Sequence, residues 1–188
     1  MNYAMRHGGT QENVDKIIQG QAMNPLSRTG IKLVHAIAPR VKERNPKFLF
    51  SGDLLRHIQT SLILSNKLKL QIIIDKRLRE RDWGGLTGTK YTGQPQSTLT
   101  EDVLKKHGVE SNEELYNRVA SFLTEIKNSE IDDALIVSST GPIAMMDFVL
   151  NNADFDSEKF MESFLSLDNS SLLELGKNQT SIIPLLQK

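Results

Sequence analysis

Arg6, His7, Gly8 and Gly9 stand in a row directly behind a short apolar run, Tyr3-Ala4-Met5. A guanidinium can grip an oxyanion through two parallel N–H bonds. An imidazole beside it can serve as a nucleophile or a proton carrier. The glycines let the backbone turn tightly and come close to a ligand. These types at a strand tip suit an anionic substrate. Equally, they suit a solvated strand end with two ordinary polar side chains, and the stretch alone does not separate the two.

Composition limits the alternatives. Lys plus Arg and Asp plus Glu each number 23 in 188 residues. No global basic field therefore draws nucleic acid or a membrane surface, and any anion site must be built locally. Cysteine is absent, so thiolate chemistry, disulfides and Cys-based zinc sites are excluded. The amino terminus lacks a basic-then-apolar leader pattern. No apolar run approaches the ~20 residues that span a bilayer. The expectation is a cytoplasmic protein of one domain over residues 1–188, long enough to bury a core.

Positioning these side chains falls to alternating strands and helices. After the opening strand, residues 10–20 read as a loop with a weak helical turn. Asn24 or Ser27 caps a helix whose apolar residues Ile31, Val34, Ile37, Ala38 and Val41 recur at helical spacing to about Arg44, with Pro39 inside it. Residues 47–51 form a buried strand. A helix started by Gly52-Asp53 follows, with Leu54, Leu55, Ile58 and Leu62 as its core face. Residues 70–74 form another strand, and residues 78–88 a charged, glycine-rich loop. Residues 89–110 make an excursion with weak helical character from 99 to 106. Ser111 opens a helix with Leu115, Val119, Phe122, Leu123 and Ile126 on one face. Residues 134–138 are a continuous apolar strand, and a helix from Pro142 follows. Strands near 171–175 and 181–185 close the chain. The pattern predicts a mostly parallel sheet covered on both faces, with its strand-end loops on one rim. Arg6-His7, residues 51–56 and residues 138–141 lie at three such ends.

Arg6-His7-Gly8 with Thr10 and Asn13 resembles the opening signature of the histidine phosphatase superfamily, in its phosphoglycerate-mutase-like branch. Asn24-Pro25-Leu26-Ser27-Arg28-Thr29-Gly30 is similar to that family's early helix start. Phe50-Ser51-Gly52-Asp53-Leu54-Leu55-Arg56-His57-Ile58-Gln59-Thr60 resembles its second block. Leu78-Arg79-Glu80-Arg81-Asp82-Trp83-Gly84, with Leu86-Thr87-Gly88, resembles the acid-bearing block, and Ile136-Val137-Ser138-Ser139-Thr140-Gly141-Pro142-Ile143 the last one. The blocks appear in family order across most of the chain.

The resemblance implies a three-layer α/β/α sandwich and phosphomonoester hydrolysis through a phosphohistidine. His7 would be the nucleophile and Glu80 the general acid and base. Arg6, Arg56, Asn13 and Ser139 would bind the phosphoryl group, with no metal or cofactor. A small phosphate ester or a phosphoprotein would be the substrate and inorganic phosphate the product.

Two positions depart from the family pattern. Ser139 stands where a second histidine is usual; a hydroxyl can still donate, but loss of one preorganised donor costs ~10²–10³ in rate. On that reckoning Ser139→His alone would raise the rate. Gly9 stands where many members carry glutamate. The alternative is therefore a pseudo-phosphatase that binds phosphorylated ligands or a protein partner. His57 reads as a surface or packing histidine, because neighbouring helical residues point about 100° apart. His35 and His107 read as structural or solvated, Arg79 and Arg81 as solvated loop charges, Trp83 as loop packing, and Asp53 as a helix-start residue or a partner of Arg56. Substrate choice would fall to residues 84–110 and 152–168.

Overall fold

The computed structural model describes residues 1–90, 101–152, 154–164, 167–176 and 181–183. Six strands form one sheet: β1 (Asn2–Arg6), β2 (Phe48–Ser51), β3 (Ile72–Ile74), β4 (Ala134–Ser138), β5 (Leu172–Leu175) and β6 (Ser181–Ile183), in the order β3-β2-β4-β1-β5-β6. The pairs β1/β4, β2/β4 and β2/β3 are parallel, whereas β5 runs antiparallel to both β1 and β6. The carboxyl ends of β1, β2 and β4 therefore share one rim. The chain runs β1→β2→β3 toward one edge and β4→β5→β6 toward the other, so the connections from neighbouring β1 and β4 leave in opposite directions, and in open α/β sheets a ligand crevice forms at such a point.

Strand alternation divides the core. Ala4, Phe50, Ala134, Ile136 and Leu173 face one layer, where α5 (Asn112–Asn128) supplies Leu115, Val119, Phe122 and Ile126, and α6 (Thr140–Asn151) supplies Ile143, Met145 and Met146. Tyr3, Met5, Leu49, Leu135, Val137 and Leu172 face the opposite layer, made by α2 (Arg28–Glu43) and α3 (Leu55–Leu68). Two buried faces explain the unbroken apolar run of β4. The three-layer α/β/α sandwich follows. Three short helices complete the set: α1 (Gln11–Val14), α4 (Glu101–Lys106) and α7 (Ser157–Glu162).

Ser27, not Asn24, caps α2: its hydroxyl accepts from Gly30 N–H. Pro39 lies inside α2 without ending it. Residues 91–100, within the expected excursion, lie outside the described residues. Pro142 is the third residue of α6, not the first, still within the turn whose N–H groups have no intrahelical partner.

The expected face of α3 holds only at Leu54, which is buried at the N-cap of the helix. Leu62 is 50% exposed, and Leu55 and Ile58 are only half-buried. The buried stripe is Arg56, His57, Thr60, Ser61 and Leu64, mostly polar. Apolar periodicity locates a helix's buried face only where that face meets core; α3 turns its first two turns onto the sheet rim.

The start of α2 docks on the Arg-His-Gly-Gly segment. Gly9 C=O accepts from Ser27 N–H at 2.9 Å and from its hydroxyl at 3.1 Å. A Cβ on Gly30 would lie 2.0 Å from Gly9 O, and one on Gly8 would lie 2.7 Å from Val34 Cγ2. Neither Gly8 nor Gly9 has a positive φ. Gly8 serves close packing rather than a turn, and a Cβ on Gly9 would meet ordinary contacts of 3.9–4.0 Å.

Candidate active site

His7 follows the last residue of β1, and its N–H donates to Ser138 C=O at 3.0 Å, which extends the β1/β4 ladder by one bond. The ring is 2% exposed. Nδ1 lies 2.7 Å from Gly8 O. A carbonyl can only accept, so Nδ1 carries the proton and Nε2 keeps its lone pair. Burial, then the charge of Arg56, then His57 and Arg6 hold the His7 pKa well below the usual imidazole value. The ring is neutral at pH 7, as a nitrogen nucleophile must be. Gly8 N–H donates to Thr60 Oγ1, and Thr60 donates to Arg56 C=O, tying the segment to α3.

Arg56 is 1% exposed. Its Nη1 donates to Ala22 O at 2.9 Å and its Nη2 to Gly20 O at 2.7 Å. Two of its five N–H groups therefore hold the 20–22 loop. Its Nε, and the Nε of Arg6, are buried without a hydrogen-bond partner. Burial lowers the Arg56 pKa to about 10, against a raising effect of Glu80, so it remains a cation at neutral pH. Arg6 donates through Nη1 to Leu167 O; burial lowers its pKa, and Glu80 and Asp168 counter that. The guanidiniums of Arg56, buried, and Arg6, half-buried, each with an unpartnered Nε, fit a dianionic phosphoryl group.

Glu80 reaches the site from the loop after β3. Ser138 Oγ donates to Leu78 O at 2.7 Å, which ties that loop to β4. Arg118 of α5 donates to the carbonyls of Arg77, Arg79 and Glu80, and pairs with Glu110. The Glu80 carboxylate accepts from Arg81 N–H. It lies against the first turn of α6, where a Cβ on Gly141 would be 2.5 Å from Glu80 Oε1. Gly141→Ala should push the carboxylate aside, since the obstructing atom ends a flexible side chain. Alanine favours a helix by up to about 1 kcal/mol over glycine, so the melting temperature should hold or rise. With Glu80 in the acid's role that the resemblance implies, turnover should fall about 10²-fold. Unchanged turnover would remove Glu80 from the chemistry.

Asn13 Oδ1 accepts from Thr10 N–H, Thr10 Oγ1 and Asn169 Nδ2, and Asn169 Nδ2 also donates to His7 O at 3.3 Å. The network turns the Asn13 amide nitrogen away from these partners. Asn169 and Thr60 were not singled out in the sequence as support for the site; short polar side chains in loops and helix faces give no distinctive pattern.

Ser139 and His57 are both fully buried, and His57 Nε2 lies 2.7 Å from Ser139 Oγ. The His57 ring centroid is 5.5 Å from that of His7. His57 therefore belongs to the site and not to the surface. Asp53 pairs with Arg79 at 2.5 Å rather than with Arg56. Arg81 is buried, stacks over Trp83 and donates to Asn112 Oδ1. His35 and His107 are exposed. Among the described residues no group of His, Cys, Asp and Glu could hold a metal ion, and no helix is long and apolar enough to cross a membrane.

Two buried neutral imidazoles make stability sensitive to acid. Burial and then Arg56 lower the His57 pKa well below its usual value, as burial does for His7. Unfolded histidines bind protons near pH 6.5; the folded ones resist. The contribution is complete above about pH 6.5 and is lost as pH falls below it, by up to about 1.4 kcal/mol per pH unit per group. The melting temperature of His57→Gln should therefore drop less than that of wild type between pH 7.5 and 5.5. Equal drops would mean that folded His57 is protonated.

A model of the histidine phosphatase superfamily (branch 1) matches residues 3–181. The probable phosphoglycerate mutase GpmB of Proteus mirabilis (strain HI4320) is 40% identical over 84 residues, 45% of this chain and 39% of that protein. The chain thus matches well under half of that relative's length. Putative phosphoserine phosphatase 2 of Hydrogenobacter thermophilus (strain DSM 6534 / IAM 12695 / TK-6) is 26% identical over 193 aligned positions, covering 93% of this chain and 94% of that protein. Among solved structures, a mycobacterial glucosyl-3-phosphoglycerate phosphatase in complex with VO3 has a TM-score of 0.78 at 23% identity, covering 96% of this chain and 95% of that one, and so shares the fold. With a family match over almost its whole length, on a sheet that gathers the matching blocks at one rim, the chain belongs to the histidine phosphatase superfamily, branch 1.

Proposed function

We propose that the protein is a phosphohydrolase that cleaves small phosphate monoesters through a phosphohistidine at His7. The observation that carries this reading is the state of His7: neutral, proton fixed on Nδ1 by Gly8 O, and set beside the guanidiniums of Arg56, buried, and Arg6, half-buried. In the first step Nε2 attacks phosphorus, the bond to the ester oxygen breaks, and Glu80 gives its proton to that oxygen. In the second step water attacks the phosphohistidine, Glu80 takes the water's proton, and inorganic phosphate leaves as Nε2 regains its lone pair. Arg6 and Arg56 hold the non-bridging oxygens throughout, with Asn13 adding a neutral donor. Positioning and charge supply most of the acceleration in such a transfer.

The burial of His7, only 2% exposed, favours a small ester over a phosphoprotein. The names of the two relatives point to phosphorylated three-carbon acids, so phosphoserine and 3-phosphoglycerate belong beside an aryl phosphate in the first panel. The test is a trapped intermediate. Enzyme mixed with labelled substrate and quenched in alkali should retain one label per chain, lost in acid, as a phosphoramidate is. Phosphate binding without any labelled protein or turnover would favour the pseudo-phosphatase reading.

A further inference from the structure

We propose that Ser139 and His57 act as one unit in which the Ser139 hydroxyl donates to the transferring phosphoryl group and His57 sets the direction of that donation. This rests on the phosphohydrolase reading above. The register pairs Arg6 with Ser138, so Ser139, the next residue, stands level with His7 on the rim. Ser139 is the N-cap of α6, yet its side chain makes no capping bond; it turns to His57 Nε2 at 2.7 Å.

The protons can be counted. The charged and titratable groups around the pair are Arg6 and His7 on β1, Arg56 on α3 and Glu80 on its loop. In that setting His57 is neutral, with one N–H to place. Its Nδ1 is buried with no partner. A proton on Nδ1 would be a buried donor without an acceptor, which folded proteins seldom contain. A proton on Nε2 has an acceptor in Ser139 Oγ. With that lone pair taken, the Ser139 hydrogen cannot point at His57. It points away, and the hydroxyl is strengthened as a donor by the bond it accepts. The opposite tautomer would aim a serine lone pair at the phosphoryl oxygens and repel them.

The chain thus supplies a neutral two-residue donor at the position where the resemblance expects one histidine. Ser139 is the catalytic residue of the pair, and His57 is a positioning residue. Arg6 and Arg56 already place two cations there, so a neutral donor adds a hydrogen bond without a third buried charge.

Two measurements decide it. First, the imidazole nitrogen and proton resonances of ¹⁵N-histidine-labelled wild-type protein should report His57 as the neutral Nε2–H tautomer from pH 5.5 to 8. An Nδ1–H tautomer or a protonated ring overturns the inference, whatever the enzyme turns over. Second, with an aryl phosphate, Ser139→Ala and His57→Ala should each lower kcat about 10²-fold with little change in KM. The double variant should lose no more than either single one, as residues acting as a unit do. His57→Gln, whose amide can donate to Ser139, should recover part of the loss. The combination His57→Ala with Ser139→His should also recover activity, with a rate that falls as pH rises through the new imidazole's pKa, a limb absent from wild type. Losses that multiply, or a Ser139→Ala enzyme as fast as wild type, overturn the inference. Wild type no faster than His7→Ala would defeat the phosphohydrolase reading instead, and the tautomer alone then decides this one.

Discussion

Replacing His7 with alanine should lower kcat for an aryl phosphate by about 10⁶-fold, the scale on which removal of a concerted nucleophile acts. The label trapped in alkali should vanish with it. Folding should survive at neutral pH. The ring makes one hydrogen bond, to Gly8 O, and contacts the His57 ring, so the loss should be roughly 1 kcal/mol for the bond plus a small packing term. At pH 5.5 the penalty should shrink, because wild type must keep the His7 ring unprotonated there and the variant need not. Arg6, Arg56 and Glu80 stay in place, so inorganic phosphate should still bind. Isothermal titration beside stopped kinetics separates the two roles. A variant retaining a tenth of the wild-type rate would mean that water attacks the ester directly.

Gly30→Ala should be strongly damaging to the fold. The added Cβ would lie 2.0 Å from Gly9 O and 2.8 Å from both Gly9 N and C. All three are backbone atoms, so no rotamer change relieves the contact. Either α2 backs away from the sheet or the Arg-His-Gly-Gly segment shifts. Overpacking of this kind costs up to about 3 kcal/mol, which in a chain of 188 residues lowers the melting temperature by roughly 6–12 °C. Activity should fall further than stability, because Gly9 is two residues from His7 and a displacement of about 1 Å can cost 10²-fold. Gly9→Ala should be nearly silent, since its nearest contacts are 3.9 Å away. Equal losses in both variants would mean that the close approach of α2 at Gly30 is not what limits the fold.

The layers were legible because strand alternation and helical spacing are local properties. β4, α5 and α6 follow from Ala134-Leu135-Ile136-Val137 and from apolar positions three and four apart. The antiparallel direction of β5 was not legible, because direction is set by what lies between strands. α3 misled for a physical reason: its buried stripe is Arg56, His57, Thr60, Ser61 and Leu64, at successive spacings of one and three. The same spacing in apolar letters would have marked a core face. In polar letters it marked a face turned to a site, and that signal could have placed His57. A 100° step between Arg56 and His57 does not separate them when the receiving surface is a concave rim. The consequence reaches Ser139→His: with His57 already against Ser139 Oγ, a second ring has no room, and the single exchange should not raise the rate.

Arg118 has one more implication. A single side chain from α5 satisfies the carbonyls of residues 77, 79 and 80, while Ser138 holds Leu78 from below. The acid's backbone is thereby clamped on the upstream side, before the chain enters residues 84–110. Rewriting the stretch between Gly88 and His107 need not move Glu80, provided that Glu110, the partner of Arg118, is kept. The backbone that carries Glu80 and the span that follows it are thus held by separate contacts, so the span can be altered while the carboxylate keeps its place.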